Sequence, residues 1–226
     1  MYLIRGLHNL GSFNAKDTKN KYVATIGNFD GLHLGHQALI KAMKIKAKDH
    51  NAKTMVFFTE PHAAEYFADN NDGLESPPRI SSWREKFELL DAHEIDVACF
   101  LKFNDALKTM PPERFINDVL EQVNICHLII GDDFRFGQNR AGGFDLLKQW
   151  GNSKGVDVSP TKTVKDNNQR ISSTLIRSLL ADSNFKLANK LLGKPYTFSG
   201  KVVHGNQLGR TTVSYTHLTL PTILRV

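Results

Sequence analysis

The sequence predicts an α/β fold with a five-stranded parallel sheet, on three observations. Short and almost continuous apolar runs alternate with longer helical stretches five times along the chain. Such runs are typical of parallel strands that are buried on both faces. The 226 residues are 41% hydrophobic and 23% charged, which indicates a globular chain and excludes a disordered one. The predicted strands span residues 22–26, 54–59, 95–103, 125–131 and 156–164.

A helical stretch follows each predicted strand, and two of these stretches carry helix start signals. Ser82 and Glu85 have the spacing of a capping box, and Pro112 stands where a helix tolerates a missing N–H. In sheets of this kind, ligands bind beyond the carboxyl ends of the strands. The loops after the first, second, fourth and fifth predicted strands are therefore the candidate functional loops. The predicted helices span residues 36–50, 79–94, 112–123, 143–150, 172–180 and 185–192.

The end of the chain differs in composition from the rest. From residue 193 onward it is rich in β-branched residues and glycine and poor in acids. This composition predicts the first strands of an all-β module that is too short to form a core of its own. We therefore divide the chain into an α/β domain over residues 1–185 and a β-fragment over residues 186–226.

Composition also excludes several classes of protein. No run of 18 apolar residues exists, and the apolar stretch at the start is too short for a signal peptide, so we expect a cytoplasmic protein without a membrane partner. The net charge of +6 is mild and suits phosphate-bearing ligands. Cys99 and Cys126 lie in apolar runs without a CxxC pattern, which predicts two buried free thiols.

The strongest local signal is GNFDGLHLGH, which follows the first predicted strand and opens the first helix. His33 and His36 are three residues apart at the helix start, so both can face one spot, where the helix dipole also points. Two imidazoles and a helix N-terminus are suited to hold a phosphate. Gly35 leaves room for a flat group such as a nucleobase. We expect both imidazoles to lie on a solvent-facing helix start.

Other interpretations of this histidine pair remain open. The pair could be half of a zinc site, although the sequence places no third ligand nearby. The two histidines could also be unrelated residues of one helix. The segment nevertheless resembles the HxGH motif of the nucleotidyltransferase superfamily, whose members transfer a nucleotidyl group from a nucleoside triphosphate and release pyrophosphate.

A second segment, RISSTLIR, follows the fifth predicted strand. The hydroxyls of Ser172, Ser173 and Thr174 can cap a helix or bind a phosphate oxygen. Arg170 and Arg177 flank them and can add charge-assisted hydrogen bonds to phosphate. An ordinary helix cap explains the hydroxyls equally well. The segment resembles the ISSTxxR motif of the same superfamily.

A third segment, IGDDFRFG, follows the fourth predicted strand. Phe134 and Phe136 could stack on a planar ring, and Asp132 and Asp133 could accept hydrogen bonds from a ring N–H. Arg135 could hold a phosphate. A turn with core aromatics is the alternative. A fourth segment, FFTEPH, ends the second predicted strand in a proline-stiffened loop that carries a histidine.

Together these segments resemble the prokaryotic bifunctional riboflavin kinase/FMN adenylyltransferases, also called FAD synthetases. The resemblance runs from MYLIRGLHNL through RISSWREKFELL to SGKVVHGNQLGR and covers nearly the whole chain. One departure is Ala63, where the family usually has a second proline. The resemblance implies a Rossmann-like nucleotidyltransferase domain followed by an incomplete β-barrel fragment similar to riboflavin kinase.

The implied reaction is adenylyl transfer from ATP to the phosphate of FMN, which gives FAD and pyrophosphate without a covalent enzyme intermediate. ATP and FMN are the implied small-molecule partners, Mg²⁺ accompanies ATP and is held mainly by its phosphates, and no residue is assigned as a metal ligand. By resemblance, the catalytic residues are His33, His36, Arg170, Ser173, Thr174 and Arg177. The implied ATP-binding residues are Gly27, Asn28, Phe29, Gly35 and Ser172, with both histidines. The implied flavin-binding residues are Pro61, His62, Asp132, Asp133, Phe134 and Arg135.

The resemblance to the family ends shortly after Arg210. Family members continue into a Pro-Thr-Ala-Asn motif, whereas Pro221 and Thr222 lie too far along and are followed by Ile223 and Leu224. We therefore interpret residues 213–226 as non-native sequence, with a divergent natural tail as the alternative. We expect no riboflavin kinase activity from this chain.

Two alternative functions remain. The chain could be another HxGH nucleotidyltransferase, acting on pantetheine phosphate, nicotinamide mononucleotide or glycerol phosphate. It could also be a nucleotide-binding or RNA-binding module without turnover. The chain lacks the dense basic stripe with interleaved aromatic residues that RNA-binding surfaces use, so we expect no nucleic-acid partner.

Overall fold

The computed structural model describes residues 1–17, 19–70, 75–131, 133–161, 163–167 and 169–200. Its centre is a parallel sheet of six strands, one more than predicted, in the order β1-β4-β3-β2-β5-β6. The predicted α/β class with a parallel sheet is confirmed. The six strands are β1 (Tyr2–Arg5), β2 (Tyr22–Ile26), β3 (Lys53–Glu60), β4 (Val97–Lys102), β5 (Ile125–Ile130) and β6 (Asp157–Pro160).

The strand missed by the sequence analysis is β1, at one edge of the sheet. It is only four residues long, pairs with β4 alone and leaves Tyr2 exposed. An edge strand of this length lacks the continuous apolar run of a central strand. By contrast, all five residues of β2 are buried, because β2 lies between β3 and β5 and is covered on both faces.

Nine α-helices are found in the described ranges, and three of them were not predicted: α1, α3 and α5. Helix α4 begins at Trp83 because Ser82 caps it, with the predicted reciprocal hydrogen bonds to Glu85. The helix predicted over 112–123 is a short α6 followed by a π-helical turn, Ile116–Leu120. The helices are α1 (His8–Lys16), α2 (Leu34–Asp49), α3 (Ala63–Asp69), α4 (Trp83–Ala92), α5 (Asp105–Lys108), α6 (Pro112–Phe115), α7 (Phe144–Lys154), α8 (Ser173–Ala181) and α9 (Phe185–Leu192).

The strand predicted over 156–164 is shorter in the structure. β6 ends at Pro160, and a separate antiparallel pair follows, β7 (Lys165–Asp166) and β8 (Gln169–Arg170). This hairpin leads directly into α8. The start of α8 is therefore positioned by a small two-stranded ribbon beside the main sheet.

Apolar residues form a core on each face of the sheet. One face packs against α1, α6, the π-helical turn and α7, and the other packs against α2 and α4. A third apolar cluster joins α8 and α9 to Ile80 in the segment before α4. This third cluster fixes α8 close to the loop that follows β2.

The predicted β-fragment is described only as far as Gly200. Residues 195–200 adopt no helix or strand, and Ser199 hydrogen bonds to the side chain of Glu85 in α4. The segment predicted to be non-native, residues 213–226, lies outside the described residues. Within the described ranges, no helix is both long and apolar enough to cross a membrane.

Both cysteines are free thiols, as predicted. Cys99 in β4 is buried, and burial raises the pKa of its thiol well above the ordinary value. Cys126 in β5 is only half-buried, which differs from the prediction. The reason is its place on a strand next to the edge, near the amino end of the sheet.

Candidate functional site

A cavity of about 380 Å³ lies beyond the carboxyl ends of β2 and β5, as expected for a parallel sheet of this type. The loop after β2, the start of α2, the loop after β5 and the start of α8 surround it. The cavity brings together fourteen of the predicted site residues: Gly27, Asn28, Phe29, His33, Gly35, His36, His62, Asp133, Phe134, Arg170, Ser172, Ser173, Thr174 and Arg177.

Three predicted residues are not placed in this cavity. Pro61 and Arg135 are described but do not line it. The Glu60–Pro61 peptide bond is cis, and Arg135 donates a hydrogen bond from Nη1 to the carbonyl oxygen of Phe134 over 2.9 Å. Asp132 lies outside the described residues.

The turn between β2 and α2 is tightly packed. Phe29 adopts a positive φ of 50° and is fully buried. Gly31 has a φ of 75°, and a Cβ atom there would stand 2.6 Å from Ile80 Cγ2. Only glycine fits such a position without displacing the neighbouring chain. The turn is thus pressed against the segment that precedes α4.

The imidazole rings of His33 and His36 stack, with centroids 3.7 Å apart and planes 19° apart. His33 is the N-cap of α2, and its Nδ1 accepts a 3.4 Å hydrogen bond from the backbone N–H of His36. The proton of a neutral His33 ring is therefore on Nε2. The prediction that both rings face one spot is confirmed.

The prediction that these rings lie on a solvent-facing helix start is wrong. His33 is 5% exposed, and the Nδ1 atom of His36 is buried without a hydrogen-bond partner in the described structure. Phe29 packs 5.0 Å from the His36 ring and covers it. Phe29 lies in the turn just before α2, and helical spacing alone does not reveal this contact.

Burial also sets the protonation of the pair. It lowers the pKa of His33 to about 4, an effect that the charge of Asp30 only partly opposes. It lowers the pKa of His36 well below the ordinary value, and the neighbouring His33 lowers it further. Both rings are therefore neutral near pH 7, and each has one N–H to donate before any ligand binds.

The start of α8 combines capping with contact to the first loop. Ser172 is the N-cap, and its Oγ accepts a 3.2 Å hydrogen bond from the N–H of Leu175, so the ordinary capping interpretation holds for this hydroxyl. Ser173 Oγ donates to the carbonyl oxygen of Asp30 over 3.1 Å. Thr174 lines the cavity one residue further along. The hydroxyl segment and the histidine loop are thus joined directly.

The two predicted arginines have different partners. Arg177 donates from Nη2 to Asp30 Oδ2 over 2.6 Å and from Nε to the carbonyl oxygen of Pro78 over 2.8 Å. Arg170 forms a 3.0 Å ion pair with Asp133, and both side chains are about half exposed. Arg177 is therefore fixed in the wall of the cavity, while Arg170 stands at its mouth.

Asp30 is a site residue that the sequence analysis missed. Its buried carboxylate accepts hydrogen bonds from the backbone N–H groups of Ile80 and Ser81, from the Ser81 hydroxyl and from Arg177. It lies inside the motif that was selected for its histidines. The available signal was a carboxylate beside residues predicted to bind phosphate, because its buried charge has to be neutralised by a cation.

Lys86 is a second residue that was missed. It is 4% exposed and lines a small recess together with Asp30, Glu60 and His62. Its Nζ lies 5.0 Å from the centre of the Phe58 ring, and burial lowers the pKa of its amine. The recess therefore holds three cationic side chains, Arg79, Lys86 and Arg177, and it shares Asp30, His62 and Arg177 with the cavity.

The loop after β3 is held by a network of capping contacts. His62 is the N-cap of α3, and its Nδ1 accepts a 3.0 Å hydrogen bond from the N–H of Ala64. Glu65 accepts from the N–H of His62 and is paired with Arg79. Ala63 is the first residue of α3, where a proline would also fit, so the departure from the family pattern leaves this helix start unchanged.

The two aromatic residues after β5 have different environments. Phe134 is half-buried and lines the cavity. Phe136 is buried in the core, with its ring 5.2 Å from that of Phe115, so it is not available to a ligand. The alternative of a turn with core aromatics therefore holds for Phe136.

The carboxylates in the described lining of the cavity are few. They suit a magnesium ion that is held mainly by substrate phosphates better than one that is held mainly by protein side chains. The two described acids, Asp30 and Asp133, are each paired with an arginine. Mg²⁺ usually keeps several waters and is bound mainly through substrate phosphates with one or two carboxylates. The donor set is consistent with that arrangement.

Comparison with known proteins gives one family and several similar sequences. Residues 15–175 match the family model described as FAD synthetase. The chain is 40% identical over 212 residues to the bifunctional riboflavin kinase/FMN adenylyltransferase of Escherichia coli K12 and 39% identical to that of Haemophilus influenzae. Each alignment covers 93% of this chain, but the chain spans only about two thirds of those relatives, 65% and 66% of their length.

Solved structures share the fold. A crystal structure described as a macrolide-efflux protein from Streptococcus pneumoniae is 25% identical, with a TM-score of 0.76 over 91% of this chain and 75% of its own. A pantoate-beta-alanine ligase from Francisella tularensis, complexed with beta-gamma ATP and beta-alanine, is 15% identical, with a TM-score of 0.51 over 85% of this chain and 78% of its own. The second likeness concerns the fold alone.

Proposed function

The chain belongs to the FAD synthetase family, and on that premise we propose that it transfers the adenylyl group of ATP to FMN, giving FAD and pyrophosphate. One observation carries the proposal: the stacked imidazoles of α2 and the hydroxyl-rich start of α8 line the same cavity. Helix starts and neutral N–H donors at one point favour a polyphosphate. The cavity opens at the edge of the sheet where such ligands bind.

The reaction is a single displacement at phosphorus. An oxygen of the FMN phosphate forms a bond to the α-phosphorus of ATP while the bond to the bridging oxygen of the β-phosphate breaks. The bonding electrons leave with pyrophosphate, so no residue has to form a covalent bond. The protein acts by positioning the reactants and stabilising the charge on the transferred group.

The histidine pair contributes hydrogen bonds that are in place before ATP binds. The Nε2–H of His33 is directed by the capping bond at its Nδ1, and we assign it to a phosphate oxygen. Negative charge from the triphosphate favours the protonated form of a nearby imidazole. His36 lies stacked on His33, so the pair can take up a proton when ATP arrives and give it up when pyrophosphate leaves.

The arginines have separate roles in this proposal. Arg170 stands at the mouth and can exchange its exposed partner Asp133 for phosphate, which forms stronger charge-assisted bonds. Arg177 uses two of its nitrogens on Asp30 and Pro78, so it acts first as a positioning residue that joins α8 to the histidine loop. Its remaining nitrogen is available to the phosphates.

The remaining predicted residues divide between the two substrates. Gly27, Asn28, Phe29 and Gly35 shape the nucleotide side, where a Cβ on Gly35 would stand 3.1 Å from the His33 ring. Ser172, Ser173 and Thr174 close it from α8. His62, Asp133 and Phe134 form the flavin side, and Pro61 and Arg135 belong to the same two loops. Mg²⁺ bound with ATP supplies charge neutralisation on the polyphosphate.

The experiment uses the purified chain with FMN, ATP and Mg²⁺, and measures FAD by chromatography and pyrophosphate by a coupled assay. We expect equal amounts of FAD and pyrophosphate. Riboflavin with ATP should give no FMN, because the sequence contains no Pro-Thr-Ala-Asn motif. The substrate assignment would be refuted if the chain formed no FAD but adenylylated pantetheine phosphate, nicotinamide mononucleotide or glycerol phosphate.

A matched pair of variants tests the site itself. His33→Asn with His36→Asn removes the paired imidazoles, and His8→Asn changes an exposed histidine at the start of α1. The assignment is supported if the double histidine variant loses FAD formation and His8→Asn keeps it. Steeply salt-dependent RNA binding without pyrophosphate release would instead favour the non-catalytic alternative.

A further inference from the structure

Three side chains of the metal-ligating type converge at the end of α2 that is remote from the histidine pair. They are His50, which follows the last residue of α2, His127 in β5 and Asp157 at the start of β6. One nitrogen or oxygen from each lies within 4.8 Å of the other two. One of these contacts joins His50 Nε2 to Asp157 Oδ2 over 3.9 Å.

The sheet register creates this convergence. His127 and Asp157 are directly paired residues of the parallel strands β5 and β6, so their side chains project from the same face of the sheet. Ile129, two residues further along β5, packs in the apolar cluster that contains the buried face of α2. His127 therefore lies beneath α2, and the end of that helix brings His50 over the strand pair.

His127 carries a second and independent indication of a ligand. It is 5% exposed, and its Nδ1 is a buried nitrogen without a hydrogen-bond partner in the described structure. Its Nε2 lies 2.8 Å from Ser159 Oγ. When the ring donates from Nε2 to Ser159, Nδ1 has a free lone pair. Buried nitrogens without partners are uncommon, because each carries an uncompensated loss of hydration.

We propose that His50, His127 and Asp157 bind one divalent transition-metal ion of the zinc class. Two imidazoles and one carboxylate are the N₂O donor set that suits zinc, whereas Mg²⁺ and Ca²⁺ require mostly oxygen ligands. Ser159 Oγ, 2.8 Å from His127 Nε2, holds the orientation of the ring, as hydrogen-bond partners of metal-bound histidines usually do. With three protein ligands, the fourth position of the ion is open to water.

The present spacing allows the site to close on an ion. Zinc bonds of about 2.0–2.1 Å place tetrahedral ligand atoms roughly 3.3 Å apart, so the three donors must approach one another. The side chains of Asp157 and His50 are 72% and 32% exposed and can adjust, while His127 is fixed by burial. The binding energy would tie the end of α2 to β6, which is the edge strand of the sheet.

This site is separate from the proposed catalytic cavity. The imidazole pair stands at the first turn of α2, and His50 stands beyond its last turn, about 24 Å away for a helix of 16 residues. Asp157 is the first residue of β6, while the cavity lies beyond the carboxyl ends of the strands. The inference therefore does not depend on the proposed adenylyl transfer.

The test is a titration of the metal-stripped full chain with Zn²⁺ by calorimetry and with Co²⁺ by visible absorption. We expect one ion per chain and the intense absorption bands of tetrahedral Co²⁺. His50→Gln and Asp157→Asn should each weaken Zn²⁺ binding at least tenfold. The matched control is Asp49→Asn, which removes an exposed carboxylate beside His50 that is not one of the three ligands; it should leave binding within about twofold of the wild type.

Three results would overturn the proposal. The first is no saturable binding of Zn²⁺ or Co²⁺ by the full chain. The second is binding that His50→Gln and Asp157→Asn leave unchanged. The third is binding that survives those changes but is lost in the His33→Asn, His36→Asn variant, which would place the ion at the imidazole pair of the catalytic cavity.

Discussion

Replacing Arg177 by methionine would leave the buried carboxylate of Asp30 without its cationic partner. The two groups form a 2.6 Å ion pair, and their side chains are 18% and 7% exposed. Methionine keeps the apolar length of the side chain but cannot donate to the carboxylate. We expect this variant to fold with a reduced free energy of unfolding.

The magnitude follows from what Asp30 retains. Removing one partner of a buried ion pair costs about 3–5 kcal/mol, because the other charge stays buried. Asp30 keeps the N–H groups of Ile80 and Ser81 and the Ser81 hydroxyl, so the lower end of that range applies. A loss of about 3 kcal/mol corresponds to a decrease of roughly 6–12 °C in Tm for a domain of this size.

Urea unfolding followed by circular dichroism measures this loss in three variants: Arg177→Met, Asp30→Asn and the double variant. Once the carboxylate is also removed, the cost of the arginine substitution should fall, giving a coupling energy of about 1–3 kcal/mol. Arg114→Met is the matched control, because Arg114 pairs with Asp118 on the surface. Exposed pairs contribute about 0–1 kcal/mol, so this control should unfold almost as the wild type does.

Two results would refute this reasoning. An Arg177→Met variant that unfolds within 1 kcal/mol of the wild type would show that the pair does not hold α8 to the histidine loop. Additive effects in the double variant would show that the two side chains are energetically independent. In either case the proposed role of Arg177 in joining α8 to the histidine loop would be refuted, and any effect of the substitution on activity would need another explanation.

Three further predictions concern the histidine pair and its neighbours. The His33→Asn, His36→Asn variant should form FAD about 10²–10³-fold more slowly, because preorganised hydrogen-bond donors to phosphate are lost. Its circular dichroism spectrum should be unchanged. A rate within threefold of the wild type would remove the pair from the mechanism. Gly35→Ala places a Cβ 3.1 Å from two atoms of the His33 ring, so kcat/KM for ATP should fall about tenfold. The control is Gly11→Ala, whose Cβ meets only one atom at 4.0 Å and should leave kcat/KM unchanged. Equal effects of the two glycine changes would contradict this prediction. Because His33 has a pKa of about 4 when folded and about 6.5 when unfolded, the unfolded chain binds its proton first as the pH falls. The stability from this group is therefore complete above pH 6.5 and is lost towards pH 4, by about 3 kcal/mol in all, and urea unfolding of the wild type and His33→Asn at several pH values should give different slopes over that window.

Much of the fold could be predicted because the central strands are buried on both faces. The five residues of β2 and the run after Lys53 are continuous apolar segments, and no helical pattern competes with them. The edge strand β1 lacks that signal, since it packs against a single neighbour. Helix α1 was missed because its sequence, HNLGSFNAK, contains glycine and two asparagines and buries only Leu10.

The site was predicted only as far as local motifs reach. The segments that carry His33 and Ser172 were found because glycine, histidine and hydroxyl patterns are local in the sequence. The pairing of Asp30 and the position of Lys86 depend on contacts between segments some fifty residues or more apart, such as the hydrogen bond from Ile80 to Asp30. No spacing rule encodes contacts of that range.

The packing of Gly31 against Ile80 has a consequence for how ligands bind. The same short segment hydrogen bonds to Asp30 and continues into the cap of α4, while Ser173 fastens α8 to the loop from the other side. The loop is thus ordered during folding, so the conformational entropy of arranging it is not subtracted from the affinity for nucleotide. The part of the site that can change when the second substrate binds is then the exposed ion pair of Arg170 and Asp133 at the cavity mouth. Arg170 can exchange its partner there without disturbing the core.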